Sequence, residues 1–315
     1  MNDCYGREIK YLRLSVTDLC SLRCIYCMPP QGVEKCSHAE ILSVEELVDV
    51  AQAAVNCGIR KIRLTGGEPL VRRGILEICR RIAAIDGVEE LCMTTNALAL
   101  PDLAAGLREA GLQRLNISLD TLDPEKYRRI SRVGELRRAL EGIKAAEAAG
   151  FSPIKLNTVL MGGVNDDEIR ALADFADAGG FELRFIELMP MGVCAGWEAH
   201  RFVSASKVLE VLPELRPCGC EGVTRLYEAP GRTARIGLIS PMTAHFCPAC
   251  DRIRVTADGR LKPCLHAAEE FRLGGLPREE MEQVIRAAIA AKPMRHRLGV
   301  GVPSLSGRYM NEIGG

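Results

Sequence analysis

The stretch TDLCSLRCIYCMPP, residues 17–30, sets Cys20, Cys24 and Cys27 at C-x3-C-x2-C, with Tyr26 just before the third thiol. A second triplet, in FCPACDRIRVTADGRLKPC, sets Cys247, Cys250 and Cys264 at C-x2-C-x13-C. Soft thiolates in threes suit iron–sulfur chemistry, in which each thiolate takes a different iron of a cubane. A 4Fe–4S cluster needs four ligands, so each triplet leaves one iron open to another group. Structural zinc is the plainer alternative, but it wants a closed set of four ligands. The histidine nearest the first triplet is His38, well past Cys27, while His266 follows Cys264 closely and is the alternative fourth ligand of the second site. Cys4, Cys36, Cys57, Cys79, Cys92, Cys194, Cys218 and Cys220 read as small buried hydrophobes or idle thiols. The C-G-C at 218–220 is the one close pair among them.

The 315 residues are 47% hydrophobic and 26% charged, an ordinary globular composition with room for one large domain or a large and a small one. A formal net charge of zero gives no overall field to attract nucleic acid or an anionic membrane. The opening MNDCYGREIK has no apolar leader core, and no run approaches the roughly 18–20 apolar residues of a membrane span. A cytoplasmic location is expected, without membrane or nucleic-acid partners. There, fourteen cysteines point to metal or redox chemistry instead of a disulfide framework.

Elements must position these thiols. Strands are expected at 11–17, 61–67, 90–96, 114–120, 154–161 and 182–190, with amphipathic helical patterns between them and helix-ending glycines at Gly58, Gly111, Gly150 and Gly179. Strand–helix repetition argues for parallel strands in an α/β fold. The strands alternate where buried parallel strands usually read as continuous apolar runs. Leu12, Leu14 and Val16 oppose Arg13, Ser15 and Thr17; Ile62 and Leu64 oppose Arg63 and Thr65. Leu115, Ile117 and Leu119 oppose Asn116, Ser118 and Asp120; Ile154 and Leu156 oppose Lys155 and Asn157. Helices cover the apolar faces, and a polar, cationic lumen faces inward, sized for a ligand. Six such units make a partial (β/α)6 TIM-like barrel over residues 1–190, with a flat doubly wound sheet as the alternative. Residues 191–315 read as a C-terminal extension carrying the second iron–sulfur cluster and ending in a Gly-Gly tail.

The first triplet, with its aromatic residue, resembles the signature of radical S-adenosylmethionine (SAM) enzymes, and TGGEP at 65–69 resembles that superfamily's SAM-binding glycine motif. LRLSVTDLCSLRCIYCMP, IRLTGGEPLVRR, MTTN, NISLDTLD, KLNTVLM, FIELMPMG, GLISPMTAHFCPACDRIRVTADGRLKPCL and the final IGG, in that order, resemble the GTP 3′,8-cyclase family of molybdenum cofactor biosynthesis over nearly the whole chain. The resemblance implies two 4Fe–4S clusters, one binding SAM and one binding substrate. It also implies a SAM-derived radical that takes the 3′ hydrogen of GTP, so that C3′ joins guanine C8 to give 3′,8-cyclo-7,8-dihydro-GTP.

Position by position, the resemblance gives SAM contacts to Tyr26, Gly67, Ser118 and Met189. It gives GTP contacts to Arg13, Arg63, Thr94, Lys155, Arg252, Ile253 and Arg254, and a catalytic tail to Gly314 and Gly315. A flavodoxin- or ferredoxin-type reductant, a downstream cyclic pyranopterin monophosphate synthase and a homodimer are implied likewise. Two positions depart from the family pattern: Ala97 where glycine is common, and Asp251 where asparagine is. The competing readings are a two-cluster radical SAM enzyme acting on a peptide and a non-catalytic metal-holding protein.

Overall fold

The computed structural model describes residues 1–34, 37, 40–299 and 301–314. Cys36, His38 and Gly315, all named above, lie outside the described residues. The six expected strands are all present: β1 (Tyr11–Ser15), β2 (Lys61–Thr65), β3 (Glu90–Thr95), β4 (Arg114–Ser118), β5 (Lys155–Leu160) and β6 (Glu182–Glu187). They run parallel, each beside its successor in the chain. A doubly wound sheet reverses its strand order part-way; here the order does not reverse, so successive right-handed crossovers leave the helices on one side of a curved sheet.

Those helices are α1 (Val44–Asn56), α2 (Ile75–Ala83), α3 (Leu100–Glu109), α4 (Pro124–Ser131), α5 (Leu136–Ala148) and α6 (Ile169–Gly179). The sequence reading has no helix at α4. Its start signal is nevertheless local: the Asp123 carboxylate accepts the backbone N–H groups of Glu125 and Lys126, and Pro124 takes the first position. Two turns are too short to display a helical period. Gly58, Gly111 and Gly150 do adopt left-handed turns after their helices, but at α6 the residue that does so is Gly180, and Gly179 is the last helical residue. The apolar strand faces and the helices form one core, in which Leu12, Leu14, Ile62 and Leu64 meet Leu47 and Val50 of α1 and Ile78 of α2.

The chain after β6 is built into the same sheet. After α7 (Ser206–Val211) come β7 (Arg216–Glu221), β8 (Thr224–Glu228) and β9 (Ile236–Ile239); β9 lies parallel to β6, and β8 and β7 follow it outward as an antiparallel meander. β10 (Arg252–Val255) lies parallel to β1 on the other edge, followed outward by β11 (Arg260–Lys262) and β12 (Phe271–Arg272). Helices α8 (Arg278–Ala290) and α9 (Met310–Ile313) complete the described chain. The extension therefore flanks both edges of the six-stranded unit, and the sheet of twelve strands stays open.

Ala97 keeps a left-handed backbone, φ 69°, at the end of β3. That costs an alanine roughly 1–2 kcal/mol, offset in part by full burial of its methyl group. Gly142 of α5 packs onto this turn so closely that a Cβ there would sit 2.1 Å from the Ala97 carbonyl oxygen. Gly142→Ala should lower the thermal unfolding midpoint, by the equivalent of about 1–3 kcal/mol, although alanine favours a helix by ~1 kcal/mol. A raised midpoint would mean that the turn yields.

Candidate active site

The inward strand faces enclose a cavity of about 800 Å³. Its two mouths are chemically distinct because β1 and β10 are parallel. Cys20, Cys24 and Cys27 follow the C-terminal end of β1, whereas Cys247 and Cys250 precede the N-terminal end of β10. Cys264 follows the antiparallel β11 and so returns to the β10 entry side. All six thiols line the one cavity, the triplets facing each other along the strand axis. At about 3.3 Å per residue, a five-residue strand holds the mouths roughly 17 Å apart.

The first cysteine loop is held by backbone contacts. Gly66 has φ 145°, and a Cβ on it would lie 2.4 Å from the Thr17 carbonyl oxygen; one on Gly67 would lie 2.3 Å from that of Leu19. The glycine pair is thus demanded first by the cysteine loop crossing it, with Gly67 also at the cavity wall. Buried Glu68 ties the loop to β3: its carboxylate accepts the Thr95 hydroxyl at 2.7 Å and the Asn96 N–H at 2.7 Å, while its own N–H donates to Leu19. Burial raises its pKa to about 7, opposed by those hydrogen bonds. From outside, Arg132 donates to the carbonyls of Arg23 and Met28, 2.8 and 2.9 Å away. Tyr26 donates its hydroxyl to Asp120 at 2.8 Å, and burial lifts Asp120 to about 6.

The three thiols of the first loop all line the cavity. Burial pushes Cys20 up to about 11 and raises Cys24 and Cys27 further; a bound cation reverses that by taking the thiolate. Among the described residues no three or more His, Cys, Asp or Glu side chains converge on a single ion, as zinc would require. Thiols spread around one cavity end fit the donor set of a polynuclear cluster.

Between the mouths lies a bank of arginines. β1 is in register with both neighbours, so Arg13 stands opposite Arg63 on one side and Arg254 on the other, and Tyr11 opposite Arg252. Arg63 donates to the Tyr11 hydroxyl and, at 3.0 Å, to the Met93 carbonyl. The Arg252 guanidinium lies 5.3 Å from the Tyr11 ring centre, a cation–π distance. Burial, and then the charge of Arg254, pulls Arg13 well below the ordinary arginine value, and burial and then the charge of Arg252 pulls Arg254 down to about 10. Arginine stays charged regardless, so the bank sets a row of fixed cations along this part of the lumen.

Thr94, Ser118, Lys155 and Met189 also line the cavity, as expected. Ile253 does not: strand alternation turns its side chain into the hydrophobic core, which leaves only its backbone near the lumen. Asp251 lines the cavity with its carboxylate 3.9 Å from Arg252. The segment leading to the last residues enters the same space. Arg308 clamps it through both Asp258 and Glu270, Asn311 donates to the Asp18 carbonyl, and Arg254 donates to the Gly314 carbonyl at 2.5 Å. A Cβ on Gly314, φ 77°, would sit 2.3 Å from the Thr65 hydroxyl oxygen, so only glycine fits there.

Several lining residues were not singled out from sequence. Lys61 shares the inward parity of Arg63, Arg184 lies on a strand whose faces the sequence reading did not assign, and Asn116, Asn157 and Asp120 already lay on the polar faces. The second mouth also holds His266 and His296, ring centres 4.9 Å apart, the latter with no signal in the sequence. Arg7 fixes this mouth by donating to the carbonyls of Cys247 and Pro293, and Lys292 does so through Arg252 and Pro263.

Residues 14–176 match the family model of the radical SAM superfamily, and 181–298 that of Molybdenum Cofactor Synthesis C. The chain is 45% identical over 320 residues to the GTP 3′,8-cyclase of Alkaliphilus oremlandii, covering all of both chains. It is 46% identical to that of Peptoclostridium acidaminophilum, covering 99% of this chain and 98% of that one. Among solved structures, Streptococcus suis SuiB bound to S-adenosylmethionine aligns with TM-score 0.60 at 14% identity, over 84% of this chain and 63% of SuiB, a likeness of fold alone. Full-length identity at this level decides against the peptide-modifying and non-catalytic readings. The chain belongs to the GTP 3′,8-cyclase family of radical SAM enzymes.

Proposed function

We propose that the lumen holds SAM at the first mouth and GTP between the arginine bank and the second mouth, so that one cavity serves both. Membership of the family fixes the reaction: the chain converts GTP to 3′,8-cyclo-7,8-dihydro-GTP, the first step of molybdenum cofactor biosynthesis, with two 4Fe–4S clusters and SAM. The observation that carries the placement is the buried arginine bank lying between two facing thiol triplets. When bound, the cluster on Cys20, Cys24 and Cys27 supplies the electron that cleaves SAM to the radical taking the 3′ hydrogen of GTP.

The chain's own residues do the rest. Gly67, Ser118, Met189 and Tyr26 form the SAM wall, with Asp120 fixing the tyrosine hydroxyl. Arg13, Arg63, Arg252 and Arg254 present fork-shaped donors to phosphate and base oxygens, Lys155 a point charge, and Thr94 a hydroxyl. Cys247, Cys250 and Cys264 would hold the second cluster, which would offer the substrate an open iron as a further binding point. Burial of the bank excludes water, which strengthens every one of these contacts. Gly314, held by Arg254, brings the tail against the substrate space.

The remaining parts of the reading follow the family. Residues 1–190 form the radical-generating barrel and 191–315 the substrate-cluster region. The enzyme works in the cytoplasm as a homodimer, takes electrons from a flavodoxin- or ferredoxin-type donor, and passes its product to a cyclic pyranopterin monophosphate synthase. Among the described residues no helix is long and apolar enough to cross a membrane.

Division of labour between the mouths is testable with anaerobic, reconstituted protein. Cys20→Ala or Cys24→Ala should abolish reductive cleavage of SAM. Cys250→Ala should keep uncoupled cleavage yet lose GTP turnover; equal loss from both sites would refute separate roles. Deleting Gly314 and Gly315 should abolish cyclisation while iron content and SAM cleavage persist, and unchanged turnover would remove the tail from the account.

A further inference from the structure

Among the acidic groups of the second mouth that the reaction does not use, one stands on the outer hairpin and not on the barrel wall. Glu221, the last residue of β7, reaches from the tip of the β7–β8 hairpin across to the entry ends of the barrel strands. Lys155 donates to its two oxygens at 2.6 and 2.5 Å, Arg184 donates to one at 2.9 Å, and Arg114 stands 3.8 Å from the other. The other carboxylates here are also engaged: Glu182 by Arg184, Arg235 and, at 3.4 Å, Lys155 itself, Glu90 by Lys61 and Arg114, and Asp251 beside Arg252. Burial works to raise the pKa of Glu221, but the Lys155 hydrogen bond and the Arg184 charge overcome it and leave the group at about 2. Lys155, although paired, is still pulled below its ordinary value by burial and by Arg184. Cations are in excess even with Glu221 in place.

The hairpin is built to give way. β7 is the outermost strand of the sheet, and Arg216 to Cys220 are exposed. Its pairing with β8 slips between Pro217 and Gly219, and Gly222 takes a left-handed turn beside the carboxylate. Few buried contacts and an open outer edge mark a segment that opens locally at low cost. Lys155, by contrast, is buried in the barrel wall and cannot follow the carboxylate outward.

We propose that Glu221 is a displaceable counter-anion of the phosphate-binding mouth, neutralising Lys155 and Arg184 until the phosphates of the substrate take those cations and the hairpin moves outward. The inference rests on the placement of GTP in the lumen argued above. A phosphate brings more charge and more acceptor oxygens than one carboxylate, and pairs with arginine in the same forked geometry. A weaker anion leaves Glu221 in place, so the residue also sets the threshold of charge for entry.

The test uses the anaerobic holoenzyme with both clusters reconstituted. Binding of GTP and of inorganic tripolyphosphate is measured by calorimetry for wild type, Glu221→Gln and Lys155→Ala, and hydrogen exchange of residues 216–228 is followed in wild type with and without GTP. Glu221→Gln should bind both ligands about tenfold more tightly, the scale of one charge-assisted contact, and GTP should speed exchange in the wild-type hairpin. Unchanged or weaker binding by folded Glu221→Gln, or slower hairpin exchange with GTP, overturns the proposal. If Glu221→Gln fails to fold, the wild-type exchange decides alone. Unchanged GTP affinity in Lys155→Ala would instead remove the lumen placement itself, and this inference with it.

Discussion

The structure turns on the pairing of β1 with β2 on one side and β10 on the other. Parallel pairing in register forces Arg13, Arg63 and Arg254 into one row across three strands. Burying a single cation costs on the order of several kcal/mol after relaxation, and a row of them compounds the cost through mutual repulsion. The barrel's core, built from Leu12, Leu14, Ile62, Leu64 and the helices behind them, must supply the stability that this row consumes. Such an arrangement makes sense where a polyanion completes it, and a nucleoside triphosphate is a polyanion.

The same pairing sets the spacing of the chemistry. Because β10 runs parallel to β1, thiols after one and before the other fall at opposite ends of a common lumen. On the proposed placement, a substrate gripped at one end is presented to a radical generated at the other, with a five-residue strand as the ruler. The side chains that keep this geometry are remote from the reacting atoms: Glu68 and Arg132 on the first loop, Arg7 and Lys292 on the second, Arg308 on the tail. Each satisfies backbone groups, or in the case of Arg308 two carboxylates, and thereby turns flexible cysteine loops and a short terminal segment into fixed walls.

Much of this was legible in the sequence, for identifiable reasons. Alternation along β1, β2, β4 and β5 exposes the polar lumen because the period of a strand is short and each side chain's face follows from its parity. The same rule would have found Lys61, which shares the parity of Arg63 and Thr65, and Arg184, which alternates with the core residues Leu183 and Phe185. It also shows why Ile253, bracketed by two inward arginines, belongs to the core. The cysteine triplets were readable because ligand chemistry constrains spacing locally. Long-range pairing was not: that β9 and β10 would join opposite edges of the barrel depends on tertiary contacts. Glu221 reaches the site only through that pairing, as does His296 through the segment after α8, so neither had a local signature. α4 escaped for a different reason, being too short for its period to show, although Asp123 and Pro124 announced its start.

The central claim, that SAM and GTP share one lumen so that the radical made at the first mouth acts on substrate held at the second, has a direct isotopic test. GTP carrying deuterium at C3′ is incubated anaerobically with reconstituted enzyme, SAM and dithionite, and the 5′-deoxyadenosine is weighed by mass spectrometry. The account predicts 5′-deoxyadenosine that forms only with GTP and carries the deuterium, alongside a product isomeric with GTP. Unlabelled 5′-deoxyadenosine formed at the same rate without GTP would contradict it.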